Sequence, residues 1–240
     1  MLSGGRVMTI AAALNKTILG IGPRQWGLWL AVFVAAIALT VLALFSVYPP
    51  GDVTHTRAVQ AVQLPGLDLI SEFIFRVGLS PIFQLIALAI AAVMAFRRQH
   101  LMAMFVVLAA VARGSVVLLK ELVERPRPTI FDQVDVTEQA GGFSFPSGHV
   151  LGAVLLWGLV YFASEQQIAN PRIRRWVQWS SLAFIVLTGF QRVWTGAHWP
   201  SDVLGAYLWG GVILFVLVKV YVFCAHCEFQ TLISRLRSPS

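Results

Sequence analysis

Charged side chains are what this sequence has least of. They make up 12% of 240 residues, against 58% apolar side chains, a balance foreign to soluble domains of ordinary composition. With a mean hydropathy of +0.75, the bilayer is the expected solvent. Acidic residues are the scarcer sign, 11 against 18 Lys and Arg, which leaves a formal charge of +7. That surplus does not describe a nucleic-acid binder, because the cations fall singly or in twos and threes between apolar runs and form no long basic stripe. Cysteine is limited to Cys224 and Cys227, a single CxxC with His226 inside it. Without a second CxxC or a thioredoxin-like context, neither a zinc site nor a redox pair is expected, and the two read as small apolar filler. The first 25 residues carry Arg6, Lys16 and Arg24 but no small-residue cleavage site, so no removed signal peptide is expected.

Long apolar runs, by contrast, are plentiful. Stretches able to cross hydrocarbon lie near residues 26–48, 79–96, 101–120, 148–164, 176–194 and 203–224. They predict an all-α polytopic membrane protein, a single domain over residues 1–240 with six transmembrane helices and both termini on one side. Between the first two spans, Leu67, Ile70, Phe73, Ile74 and Val77 recur at helical spacing while Asp68, Glu72 and Arg76 take other positions, which predicts an amphipathic helix in the interface. The positive-inside rule then assigns sidedness. Arg6, Lys16, Arg24, Arg97, Arg98, Arg172, Arg174, Arg175, Arg235 and Arg237 all fall on one side, offset by Glu165 and Glu228, and that side is the cytoplasm. The opposite side receives the connection from about 121 to 147 and the turn near 195–202. A connection that long exceeds what linkage in a compact bundle requires and points to function.

Three polar clusters fall at helix ends on that outer side. Lys120, Arg125-Pro126 and Arg127-Pro128 close the third span; taken alone, they read as cations snorkelling to headgroups. Phe145-Pro146-Ser147-Gly148-His149 opens the fourth span, where free backbone N–H groups and the positive helix end suit an anion, although Ser147 also reads as a simple N-cap. Arg192, Thr195, His198, Pro200 and Asp202 bridge the fifth and sixth spans, with Trp194 and Trp199 as candidate interfacial anchors. On a helix His198 and Asp202 share a face, so the carboxylate can accept the imidazole N–H and leave the other ring nitrogen available. Three accidents of snorkelling would not place these clusters on one face.

Lys120-x6-Arg127-Pro128, Pro146-Ser147-Gly148-His149 and Arg192-x5-His198-x3-Asp202 resemble, in order, the three signatures of the type 2 phosphatidic acid phosphatase superfamily. The resemblance covers residues 120–202 at motif level. Gln191 stands where the family usually has Ser; a glutamine can still donate to a phosphate oxygen. Spacing from Lys120 selects Arg127 for the family's position, leaving Arg125 as a surface or substrate-entry residue.

The resemblance implies a lipid phosphatase. Lys120, Arg127 and Arg192, with the backbone at Ser147 and Gly148, would neutralise and bind the phosphate. His198 would attack phosphorus, Asp202 would orient it, and His149 would act as general acid and then base. No other His and carboxylate cluster suits a metal, so no metal or cofactor is expected. Arg113, about 10 Å below Lys120 by helix rise, either pairs within the bundle or reaches a second phosphate. The partners implied are a membrane lipid phosphate and the bilayer, with no nucleic acid and no obligate protein partner. An isoprenyl diphosphate such as undecaprenyl diphosphate, phosphatidylglycerol phosphate and phosphatidic acid all fit, in a bacterial cytoplasmic membrane with the site facing outward. A phosphotransferase, a vanadium haloperoxidase and a non-catalytic lipid-binding or transport protein remain as rival readings of the same residues.

Overall fold

The computed structural model describes residues 23–138 and 140–237, with side chains from 26 to 227. Arg6 and Lys16, and the side chains of Arg24, Glu228, Arg235 and Arg237, lie outside the described residues. All regular structure among the described residues is helical: α1 (Pro23–Phe45), α2 (Asp52–Gln60), α3 (Leu67–Gly78), α4 (Ser80–Phe96), α5 (His100–Ala112), α6 (Val116–Val123), α7 (Gly148–Gln167), α8 (Pro171–Trp194) and α9 (Pro200–Arg237). One 3₁₀ turn, Arg113–Ser115, joins α5 to α6, and another, Ile130–Asp132, lies in the long loop. Local chemistry explains the boundaries. Pro171 sits in the first turn of α8 while the Asn170 side chain accepts from the amides of Arg172 and Ile173, the arrangement that satisfies the orphan donors of a helix start.

Each expected span coincides with a helix, but they are not alike. Four segments, Trp26–Phe45, His100–Val123, Gly148–Gln167 and Pro200–Cys227, are long and apolar enough to cross a membrane, and α3 with α4, bent by 70°, makes a fifth if counted as one span. At 24 residues α8 has the length, but it starts with Arg172, Arg174 and Arg175 and ends with Gln191 and Arg192, so composition alone does not count it as a crossing. The apolar residues of α3 divide between two faces: Leu67 and Ile74 are buried, while Leu69, Ile70 and Phe73 are exposed. No element was expected at 52–60, where α2 packs on α8 and α9.

The bundle is organised around α7, which touches α5, α8 and α9. Its most apolar stretch is 56% buried, against 17% for those of α1 and α9, so α7 is the helix surrounded by protein while α1 and α9 are left largely to their solvent. Val150, Leu151, Leu155 and Leu159 pack with Ala109, Val193, Val203 and Ala206. The outer surface carries Leu28, Leu30, Phe33, Leu85, Leu118 and Leu187 in the open, a surface stable in hydrocarbon rather than water. Because α7 begins at the site and ends near the arginine-bearing turn before α8, the charge pattern and the polar clusters occupy opposite ends of one bundle.

Candidate active site

Tertiary folding brings the three clusters together. Lys120 is in the last turn of α6, Arg127 lies just beyond it, Ser147 to His149 open α7, Arg192 is in the last turn of α8, and Asp202 is in the first turn of α9. Lys120, Arg127, Gly148, His149 and His198 line one cavity of about 680 Å³, together with Arg113, Ser80, Gln84 and a wall of apolar side chains from α4, α5 and α6 that includes Phe83, Leu88, Val107, Val111 and Val117.

His198 is 2% exposed and Asp202 fully buried. Their approach is looser than helical spacing suggests: His198 Nδ1 lies 3.5 Å from Asp202 Oδ2. Ser144 mediates, its hydroxyl donating to Asp202 Oδ2 and lying 3.4 Å from His198 Nδ1. The Trp199 amide donates to the same carboxylate oxygen at 2.9 Å. The other oxygen, Oδ1, accepts from Arg125 at 2.5 Å. Arg125 is therefore no surface or entry residue. It is 1% exposed, and it also donates to Asp52 at 2.6 Å, to Ser201 Oγ at 2.7 Å and to the Val47 carbonyl at 3.0 Å. The reason is electrostatic: two carboxylates withdrawn from water need a multivalent cation between them, and a guanidinium has the donors. Trp199 is corrected likewise; it is completely buried, stacked edge-on to Tyr48, and anchors no membrane interface.

The three proposed phosphate ligands each hold an internal acceptor. Lys120 Nζ donates to the Phe143 and Ser144 carbonyls. Arg127 donates to the Gly142 carbonyl at 3.0 Å and the Ala197 carbonyl at 2.7 Å, and its Nη1 stands 3.0 Å from His198 Nε2. Arg192 turns both terminal nitrogens to Glu138, at 2.8 and 2.5 Å, and its Nε to Gln191 at 2.6 Å. The Gln191 amide donates to Ser71 Oγ at 3.2 Å, so this residue braces Arg192 against α3. Burial, and next the Arg127 guanidinium with Lys120 and Arg192 behind it, holds the His198 imidazole well below its ordinary pKa of 6.5. A nucleophilic nitrogen needs that neutral form.

His149 faces the cavity, its ring stacked on Phe75 at 5.8 Å between centroids. Its Nε2 and the Ser147 hydroxyl are buried polar atoms without a hydrogen-bond partner in the protein, and of the two residues His149 lines the cavity. The Ser147 amide is not the phosphate donor expected of it, since it donates to the Asp202 carbonyl at 3.2 Å; its hydroxyl is the better placed group. The Gly148 carbonyl accepts from Arg113 at 3.3 Å, while the same guanidinium donates to the Gly78 carbonyl at 2.8 Å and lies over the Phe83 ring. Arg113 thus ties α7 to the end of α3, and it also lines the cavity. A Cβ on Gly78 would fall 2.2 Å from His149 Cδ2, so this glycine makes room for the imidazole.

Asp52, Ser144, Glu138 and Gly78 escape the sequence reading, and Arg125 is noticed there but assigned to the surface. Of the first four only Ser144, two residues before the second motif, offers any local signal. Cys224 and Cys227 lie on α9, more than 20 residues past Asp202, roughly 30 Å away by helix rise.

Residues 99–224 match the PAP2 superfamily. The chain is 30% identical over 178 residues to phosphatidylglycerophosphatase B of Bacillus subtilis (strain 168), covering 69% of this chain and 85% of that one. It is 32% identical over 95 residues to undecaprenyl-diphosphatase BcrC of the same organism, covering 39% and 44%, and 31% identical over 115 residues to lipid A 1-phosphatase of Rhizobium etli, covering 45% and 44%. The crystal structure of the transmembrane PAP2-type phosphatidylglycerolphosphate phosphatase from Bacillus subtilis superposes with a TM-score of 0.69 at 23% identity, covering 80% of this chain and 94% of that one, and so shares its fold. With three signatures in order converging on one cavity and the match spanning their whole length, the chain belongs to the PAP2 superfamily and is a lipid phosphatase of that family.

Proposed function

We propose that the chain hydrolyses a lipid phosphate or diphosphate through a phosphohistidine at His198, on the extracytoplasmic face of a bacterial cytoplasmic membrane that it crosses six times, without a metal. The observation that carries this reading is the two-sided cavity: cations and two histidines at one end, Phe83, Leu88, Val107 and Val117 along the other. A soluble phosphate ester has no use for the apolar half, and a neutral lipid none for the charged half.

In the reaction, Lys120, Arg127 and Arg192 take the phosphoryl oxygens, with Arg forks matching their geometry. Arg127 moves from His198 Nε2 onto the phosphate, which frees the ring nitrogen. The Nε2 lone pair forms the N–P bond as the bond from phosphorus to the leaving oxygen breaks, and His149 delivers a proton to that oxygen. Water then attacks the phosphohistidine, giving its proton to His149 and releasing phosphate. The positive charge on the imidazole during these steps is stabilised by Asp202, which Arg125, Ser144 and the Trp199 amide hold in place.

Relatives named for phosphatidylglycerophosphate and undecaprenyl diphosphate favour those two lipids over phosphatidic acid. The outward face rests on Arg97, Arg98, Arg172, Arg174 and Arg175 at the opposite end of the bundle. Among the described residues no three His, Cys, Asp or Glu side chains converge as metal ligands. The test is phosphate release by purified protein in detergent with EDTA, comparing wild type with His198→Ala on the three lipids. Release that the substitution abolishes is expected. Loss of wild-type activity on chelation, restored by added metal, would end the metal-free mechanism. Release that requires an acceptor lipid would turn the reading to a phosphotransferase.

A further inference from the structure

All three phosphate-binding cations are engaged by one short stretch of the long loop. Lys120 donates to the carbonyls of Phe143 and Ser144, Arg127 to that of Gly142, and Arg192 to the side chain of Glu138. The first two partners are neutral carbonyls, weak rivals for a phosphate. Glu138 is a full anion. Its two oxygens sit on the two terminal nitrogens of Arg192 at 2.8 and 2.5 Å, the fork geometry by which a guanidinium also binds two oxygens of a phosphate. Arg192 is 1% and Glu138 18% exposed at the side chain, so the pair is shielded and its charges are felt strongly.

We infer that Glu138 is an internal competitor for the substrate's phosphate, a residue that occupies the Arg192 fork until a lipid phosphate displaces it. The inference rests on the proposed reading of Arg192 as a phosphate ligand. Two anions cannot share one fork in a shielded site, so a phosphate that takes the Arg192 fork must drive Glu138 off. A lipid does so with help, because its chain is buried along the apolar wall at the same time. Inorganic phosphate brings no such contribution. Glu138 therefore acts through Arg192 as a positioning residue that discriminates for lipid phosphates and against retention of the free phosphate product.

The experiment is inhibition of lipid phosphate hydrolysis in detergent by orthophosphate and orthovanadate, with wild type, Glu138→Gln and Glu138→Asp compared. Glutamine keeps the size but not the charge; its inhibition constants for both anions are expected to fall by about tenfold, the scale of one charge-assisted hydrogen bond. The KM for a short-chain, water-soluble phosphate ester should fall with them. Aspartate, too short to span both nitrogens, should give intermediate constants, and it carries the same test if the glutamine variant does not fold. Unchanged or raised inhibition constants in both variants, with wild type active and inhibited, would overturn the competitor role and leave the phosphate seat standing. A wild type that neither releases phosphate nor responds to either anion would remove the seat itself, and the competitor with it.

Discussion

Arg125 offers the sharpest check on how the site is held. It lies between two carboxylates, 2.6 Å from Asp52 and 2.5 Å from Asp202, with no side-chain exposure of its own and 4% or less for either partner. Replacing it by Met keeps the apolar bulk of the stem and leaves both carboxylates buried without their counter-ion. Breaking a buried pair from one side costs about 3–5 kcal/mol, a large share of the roughly 5–15 kcal/mol that keeps a domain folded. Adding Asp52→Asn removes one of the two uncompensated charges, so the double variant should recover part of the lost stability. Activity should not follow. Asp202 still lacks its Oδ1 partner, its carboxylate and His198 drift, and a misplacement of about 1 Å is enough to lower kcat on the order of 10²-fold. Thermal unfolding and phosphate release in the same detergent would be measured for wild type, single and double variants. Recovery of kcat in parallel with stability would refute the claim that Arg125 positions the catalytic carboxylate, and so would an Arg125→Met enzyme with wild-type values of both.

Three further outcomes follow from the geometry. In single turnover, His149→Ala should slow phosphorylation of His198 by a lipid phosphate monoester by about 10²–10⁴ and by a lipid diphosphate much less, since a phosphate leaving group needs little protonation; equal losses in that step would deny His149 the role of acid. Gly78→Ala, whose new methyl would meet His149 Cδ2 at 2.2 Å, should reproduce the His149→Ala pattern with about 1–3 kcal/mol of overpacking; unaltered kinetics would show that the clash is relieved without moving the ring. For pH, burial and then Arg127 depress the His198 pKa, so the free enzyme keeps its nucleophile unprotonated below the ordinary value of 6.5. The unfolded chain takes up that proton first, so this group's effect on stability is neutral above about 6.5 and becomes destabilising as pH falls below it. In kcat/KM profiles, Arg127→Met should move the acid limb assigned to His198 upward; a limb that stays put or moves down would contradict Arg127 as a source of the depression.

Much of the site was readable before any fold was known. Lys120, Arg127, Ser147, His149, Arg192, His198 and Asp202 stand out as polar clusters at helix ends, and their resemblance to the family signatures joins them into one site; the helices around them are marked by apolar runs of membrane length. Chemistry that a short stretch must carry by itself leaves its mark on that stretch: a cation at a helix end, a Gly–His pair at a helix start, an imidazole and carboxylate one turn apart.

What the sequence left open depends on partners distant along the chain. Arg125 and Asp202 are separated by 77 residues, Arg125 and Asp52 by 73, Arg192 and Glu138 by 54. Arg125 reads as a surface residue because spacing from Lys120 selects Arg127 instead, and nothing in the stretch around Glu138 marks it out. Composition and pattern by themselves determined that this chain is a helical membrane protein with cation- and histidine-bearing clusters at its helix ends, because solvent preference and local spacing are properties of the residues in order; the resemblance to the family signatures is what proposed a phosphate site there. Only the tertiary structure decided which buried charge answers which, because inside a low-dielectric bundle an ion is stable only beside its counter-ion, and that neighbour is chosen by how the helices pack.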